Sequence, residues 1–152
     1  MTILAPGAPA PEFSLSNQHG QPVSLGGFRG AASVTIVFFP LAFSRVCQGE
    51  LRELQDNPGL FAAAGSQVVA ISVDSKHALR AWAEEQGFGF PLLSDFWPHG
   101  DVAMAYGAFL PERGYAGRAT FVVRDGLVRA SFATGPGEPR SLDQYREALA
   151  AT

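Results

Sequence analysis

The sequence predicts an α/β fold: a central mixed β-sheet flanked by helices, with an N-terminal β-hairpin. Three observations carry that prediction. Two apolar, β-branched runs, Val34–Phe39 and Val68–Val73, contain no charged residue. A stretch of helical spacing follows each of them, and a tight Asp125-Gly126 pair joins two further strand-like runs near the end. A strand with no polar face is one covered on both sides, and strand, helix, strand is the order that parallel pairing requires.

Taken in order, Phe13-Ser14-Leu15 and Val23-Ser24-Leu25 alternate on either side of polar Asn17-Gln18-His19-Gly20, which predicts a small hairpin covering one edge of the domain. The run Val34–Phe39 stops at Pro40, which lacks the amide donor a sheet ladder needs. From Cys47 onward Leu51 and Leu54 recur at helical spacing, and Asn57-Pro58-Gly59 closes that helix before a short turn at Leu60-Phe61-Ala62. After the second buried strand, Leu79, Trp82 and Ala83 predict another amphipathic helix, ended by Gly87. Thr120–Val123 and Leu127–Ala130 flank Asp125-Gly126, a strong signal for a two-residue hairpin, and a last helix covers Leu142–Ala150. Parallel strands joined by a helix, then a hairpin and a closing helix, make a thioredoxin-like arrangement.

At 152 residues and 47% hydrophobic, the chain is sized for a single domain, 1–152, with one substantial core. Its 11 Lys+Arg stand against 14 Asp+Glu, a formal charge of −3, and no basic run or aromatic-basic stripe occurs. Nucleic acid is therefore not expected as a partner. The opening Met1–Phe13 has neither a cationic leader nor a long apolar segment, and Val34–Leu41 is far shorter than the roughly 20 residues of a bilayer span. A soluble, cytoplasmic protein without a membrane partner is expected. One cysteine, Cys47, leaves no internal disulfide and no Cys-x-x-Cys couple. Any redox chemistry must draw on an external thiol.

The informative stretch is Pro40-Leu41-Ala42-Phe43-Ser44-Arg45-Val46-Cys47, at the junction between a central strand and the helix that follows it. Open α/β sheets place their sites at the carboxyl ends of strands. The thiolate is the reactive form of cysteine, and free amides with the positive dipole end of a first helical turn favour that anion. Each residue also has a plain structural role open to it. A lone cysteine is often an inert, buried small hydrophobe, Ser44 can cap the helix by accepting the Cys47 amide, and Pro40 can simply end a strand.

Together, however, Pro40, Ser44 and Cys47 match Pro-x-x-x-(Thr/Ser)-x-x-Cys, and the chain resembles the peroxiredoxin family. The resemblance runs through Ala10-Pro11-Glu12-Phe13, Val37-Phe38-Phe39-Pro40-Leu41-Ala42-Phe43 and Phe90-Pro91-Leu92-Leu93-Ser94-Asp95, and is nearest to the one-cysteine alkyl hydroperoxide reductase E subgroup. It implies a thiol-dependent peroxidase in which Cys47 attacks hydrogen peroxide or an organic hydroperoxide, becomes a sulfenic acid and is recycled by an external thiol. It also implies that Arg118, just before Ala119-Thr120-Phe121-Val122-Val123, completes the pocket. There Arg118, the Ser44 hydroxyl and the Val46 and Cys47 amides would face the charge developing on the departing oxygen, while Pro40 shields the sulfur. Ser44 stands where threonine is commoner in the family, and Arg45 where a neutral residue is usual.

Glu50, one turn beyond Cys47, supports the helix dipole but as an anion opposes a nearby thiolate, so it is expected to point at Arg118 or another cation. The aromatic stretch Asp95-Phe96-Trp97-Pro98-His99, with Phe43, is expected to form a homodimer contact beside the pocket, as related proteins do; core packing is the alternative. His77 and His99 lack metal-ligand spacing with each other or with Cys47. Gly26-Gly27-Phe28-Arg29-Gly30 lacks the Gly-Lys-Ser/Thr ending of a phosphate loop, so no nucleotide, flavin or metal cofactor is expected. The competing function is a non-enzymatic redox sensor or binding module that passes oxidation to a partner protein through the same thiol. A thioredoxin-type disulfide reductase lacks its second cysteine.

Overall fold

The computed structural model describes residues 1–28 and 31–152. Among the described residues there are nine strands and five α-helices, and seven of the strands form one sheet in the order β2-β1-β5-β4-β3-β8-β9. Its centre is parallel: β3 (Ser33–Phe38), β4 (Ser66–Ser72) and β5 (Leu92–Ser94) run together, with Val37 opposite Ala70 and Ala70 opposite Leu92. The antiparallel hairpin of β8 (Arg118–Arg124) and β9 (Leu127–Thr134) joins β3, with Val37 opposite Thr120. The sheet is mixed, as its residue patterns predict.

The two core strands read as uniformly apolar because the sheet is buried on both faces. Val37, Phe39, Val68 and Ala70 face the helices α1 (Arg45–Asp56), α2 (Pro58–Ala63), α3 (Lys76–Gln86) and α5 (Leu142–Ala150). Ile36, Phe38, Val69 and Ile71 face a second cluster containing Phe13, Leu25, Tyr106 and Phe121. Each fully buried side chain of this kind stabilises the fold by about 1.5–3 kcal/mol, and alternate residues of one strand serve both layers.

The N-terminal hairpin pairs β1 (Ser14–Ser16) with β2 (Pro22–Ser24), Leu15 opposite Val23, and extends the sheet beyond β5 through Ser16 and Ser94. Gly87 ends α3 in the left-handed region, φ 74°, with its amide donating to the Ala83 carbonyl. The β8–β9 turn needs positive φ at both central residues, and Asp125 (53°) and Gly126 (74°) supply it. α5 begins with a reciprocal box, Ser141 accepting the Gln144 amide and Gln144 accepting the Ser141 amide.

One expectation changes. Leu60-Phe61-Ala62 is not a short turn but part of α2, which starts at Pro58, because proline's fixed φ suits a first helical position and its missing N–H is unused there. Three elements were not anticipated from periodicity: β5, α4 (Asp101–Ala105) and the small pair β6 (Phe109–Leu110) with β7 (Tyr115–Ala116). They are two to five residues long, too short to show a period. Of the glycine-rich segment read against a phosphate loop, Leu25–Phe28 forms a 3₁₀ turn, and Arg29 and Gly30 lie outside the described residues.

Candidate active site

The site is assembled at the carboxyl end of β3. That strand finishes at Phe38, its ladder is extended by Phe39 donating to the Ile71 carbonyl, and Pro40 ends it. Residues 40–44 then turn the chain into α1, with Phe43 in the left-handed region at φ 67°. Ser44 stands at the N-cap position with extended backbone, but its side chain does not cap the helix. Its hydroxyl donates instead to the Leu41 carbonyl at 2.8 Å, within the turn. Cys47 is the third residue of α1, in the first turn, where amides have no intrahelical acceptor.

The Cys47 side chain is fully buried, part of the same core cluster as Val37, Phe39, Leu51 and Trp82 on the helical side of the sheet. It is not remote from charge. Arg118, the first residue of β8, places Nη1 3.2 Å from Sγ, although the two residues are 71 positions apart. The antiparallel register of β3 and β8 brings them together, because it sets the start of β8 beside the end of β3. Arg118 is itself buried, and its Nε hydrogen has no acceptor among the described residues.

Glu50 takes the orientation its charge requires. Its Oε1 accepts from the same Arg118 Nη1 at 2.7 Å, so one nitrogen serves both the sulfur and the carboxylate. A second cation that sequence reasoning did not single out, Arg140, holds the other side. Its backbone N and Nε donate to Glu50 Oε2 at 2.8 Å each, and Nη2 donates to Oε1 at 3.1 Å. Nη1 of Arg140 donates to the carbonyls of Phe38 (2.8 Å) and Ala119 (3.1 Å) and to Thr120 Oγ1 (3.1 Å), which fastens the cluster to β3 and β8. Burial works against the Glu50 anion, but the hydrogen bonds and charge of Arg140, with the charge of Arg118, outweigh it and hold the carboxyl below its ordinary value of 4.5. Arg140 carried no local signal: it precedes the Ser141 cap in a polar loop, where an arginine is ordinarily a solvated residue.

Pro40, Ser44 and Arg118 line a cleft of about 350 Å³ together with Leu41, Leu110 and Tyr115. Val46 is half-buried in the first turn of α1. His99 is used elsewhere, its Nε2 2.6 Å from the Gly114 carbonyl. Of the aromatic stretch, Asp95 is buried and accepts the Val102 and Ala103 amides at the start of α4, whereas Phe96 and Trp97 are exposed, as is Phe43. Among the described residues no group of three His, Cys, Asp or Glu side chains is arranged to hold a metal. Among the described residues no helix is long and apolar enough to cross a membrane.

Comparison with known proteins follows the same lines. The model of the AhpC/TSA family matches residues 6–131. Alkyl hydroperoxide reductase E of Mycobacterium tuberculosis is 49% identical over 150 residues, 98% of each chain. Among solved structures, peroxidoxin BcpB of M. tuberculosis superposes with a TM-score of 0.84 at 28% identity, covering 97% of this chain and 96% of that one. AhpC of Enterococcus faecalis superposes at 0.87 and 26% identity, over 99% and 92%. The chain thus belongs to the AhpC/TSA family: it is a peroxiredoxin, a thiol-dependent peroxidase with a single cysteine.

Proposed function

We propose that Cys47 is the residue that peroxide oxidises, with Arg118, Ser44 and Pro40 completing its site. The observation that carries this reading is the 3.2 Å approach of a buried guanidinium to the chain's one cysteine sulfur, in the first turn of a helix. Two guanidiniums and one carboxylate leave the buried cluster one positive charge in excess, and a thiolate at Sγ is the counter-charge.

The thiolate attacks one oxygen of R–O–O–H, the O–O bond breaks, and the departing alkoxide takes a proton, giving R–OH and a Cys47 sulfenic acid. Arg118 supplies a charge that cannot be lost as a proton, and the amides of Val46 and Cys47 add fixed donors toward the developing anion. Ser44, in its present rotamer, spends its proton on Leu41 and presents its oxygen to the cleft as an acceptor. Pro40 lines the cleft without offering an amide of its own. An external thiol then displaces water from the sulfenic acid to form a mixed disulfide, and a second thiol releases Cys47 as the free thiol.

Hydrogen peroxide and organic hydroperoxides are the substrates in this reading, and a low-molecular-weight thiol or a redoxin-type protein of the cytoplasm is the reductant. The exposed Phe43, Phe96 and Trp97 are the contact through which two copies pair. Rapid mixing of pre-reduced protein with peroxide tests the core of the proposal. Oxidation is expected to exceed that of a free thiol at the same pH and to vanish in Cys47→Ser; activity surviving that substitution refutes it.

A further inference from the structure

A buried sulfur and a lone cysteine make opposing demands. Peroxide is small enough to enter a closed site, but the sulfenic acid has no resolving cysteine in the chain and must meet a much larger external thiol. That thiol reaches Sγ only when residues 40–44 and the first turn of α1 move aside. What holds those residues in place therefore governs access.

Among the described residues, one hydrogen bond ties residues 40–43 to another part of the chain: the Ala42 amide donates to Asp74 Oδ2 at 2.8 Å. The Ser44 hydroxyl bond to Leu41 stays inside the turn. Asp74 is rigidly mounted between β4 and α3. Ser72 Oγ donates to the same Oδ2 at 2.6 Å, the Asp74 amide points back at Ser72 Oγ at 3.3 Å, and Ser94 Oγ on β5 donates to the Asp74 carbonyl at 2.6 Å. The carboxylate is thus a fixed acceptor standing on the ends of two strands.

The residue next to the tie is under strain. Phe43 has φ 67°, a conformation that L side chains with a Cβ avoid, and its ring lies 6.1 Å from that of Trp82. Letting go relaxes that backbone, so the closed form depends on the bond one residue earlier. A hydrogen bond to an ionised acceptor is among the stronger kinds a protein makes.

We propose that Asp74 is a positioning residue that latches residues 40–44 shut over Cys47 and so sets how often a bulky thiol or disulfide reaches the sulfur. The proposal rests on Cys47 being the reacting residue, and Asp74 touches neither the sulfur nor the peroxide. Removing its acceptor opens the turn more often without disturbing Arg118 or Glu50, so access and peroxide chemistry respond differently.

The test uses the full reduced chain and 5,5′-dithiobis(2-nitrobenzoate), a bulky aromatic disulfide. The Cys47 thiolate attacks it, forms a mixed disulfide and releases coloured thionitrobenzoate, which gives the rate of access independently of peroxide. Asp74→Ala is expected to react about tenfold faster, as for loss of one charge-assisted hydrogen bond. Asp74→Asn, whose amide oxygen still accepts from Ala42, is expected to stay within about twofold of the parent, and oxidation by hydrogen peroxide within about threefold for both. Val128→Ala loosens the opposite face of the sheet and serves as the control for general destabilisation.

An Asp74→Ala rate within about twofold of the parent overturns the latch, as does an equal gain in Val128→Ala. Should Asp74→Ala fail to fold, Ser72→Ala removes the hydroxyl that steadies the carboxylate; about a threefold gain is expected, and no gain overturns the proposal. Slow oxidation of the parent by peroxide refutes the peroxidase reading instead and leaves the access comparison to decide the latch.

Discussion

The Arg118 nitrogen that lies 3.2 Å from the Cys47 sulfur is the same nitrogen that lies 2.7 Å from Glu50 Oε1. A carboxylate one turn along the helix thus steers the guanidinium instead of repelling the sulfur directly, and Arg140 balances the carboxylate from its other side. Cys47, the proposed peroxide-reacting residue, is the end of a chain of alternating charges that starts in the loop before α5. Its members are expected to respond to substitution as a unit.

Glu50→Gln keeps the shape and removes the anion, leaving two buried guanidiniums to face each other. Breaking a buried ion pair from one side costs about 3–5 kcal/mol. Urea unfolding at neutral pH is expected to show a loss of that size, and oxidation by peroxide is expected to slow because Arg118 loses its anchor.

The same carboxyl predicts the acid limb of stability. Glu50 titrates below its ordinary 4.5 in the folded protein, so above 4.5 it is ionised in both states and its full contribution is present. As pH falls below 4.5 the unfolded chain takes up the proton first, and the contribution is lost on the way down to the folded-state value. Stability measured between about pH 6 and pH 3 is expected to fall more steeply in the parent than in Glu50→Gln; parallel curves sink the assignment.

Arg118→Ala is expected to slow oxidation of Cys47 by about 100-fold or more, the usual cost of losing a donor aimed at developing charge. Arg118→Lys retains the charge but not the planar fork that reaches sulfur and carboxylate from one nitrogen, so it is expected to stay within about tenfold of the alanine variant. Stopped-flow oxidation rates decide between charge and geometry.

Arg140→Ala strips donors from Glu50 and from the Phe38 and Ala119 carbonyls. A loss of about 3–5 kcal/mol in urea unfolding is expected. Arg140→Lys is expected to recover little of it, since one ammonium cannot make the five directed bonds of the guanidinium.

Trp97 is 81% exposed beside exposed Phe96. If two copies pair through this face as proposed, Trp97→Ala is expected to shift the protein from dimer to monomer in sedimentation velocity while the melting temperature of the fold changes little, because the ring contributes nothing to the core.

The sequence by itself determined the order of the principal elements, the two hairpins, the Asp125-Gly126 turn, the closing helix and the place of Cys47 at the start of a helix after a buried strand. All of these are written in local periodicity and in the turn preferences of Asn, Asp, Gly and Pro. Resemblance to the family, not spacing, singled out Arg118 among the arginines. Its charge alone pointed Glu50 toward Arg118 or another cation; only the tertiary structure decided that Arg140 joins them, that Ser44 turns its hydroxyl to Leu41, and that Asp74 reaches Ala42. The partners in the charge cluster lie 68 and 90 residues apart, and their meeting follows from the register of β8 on β3 and the path of the loop into α5. A period reports which face a residue occupies, but convergence of distant side chains is a property of how the faces are stacked.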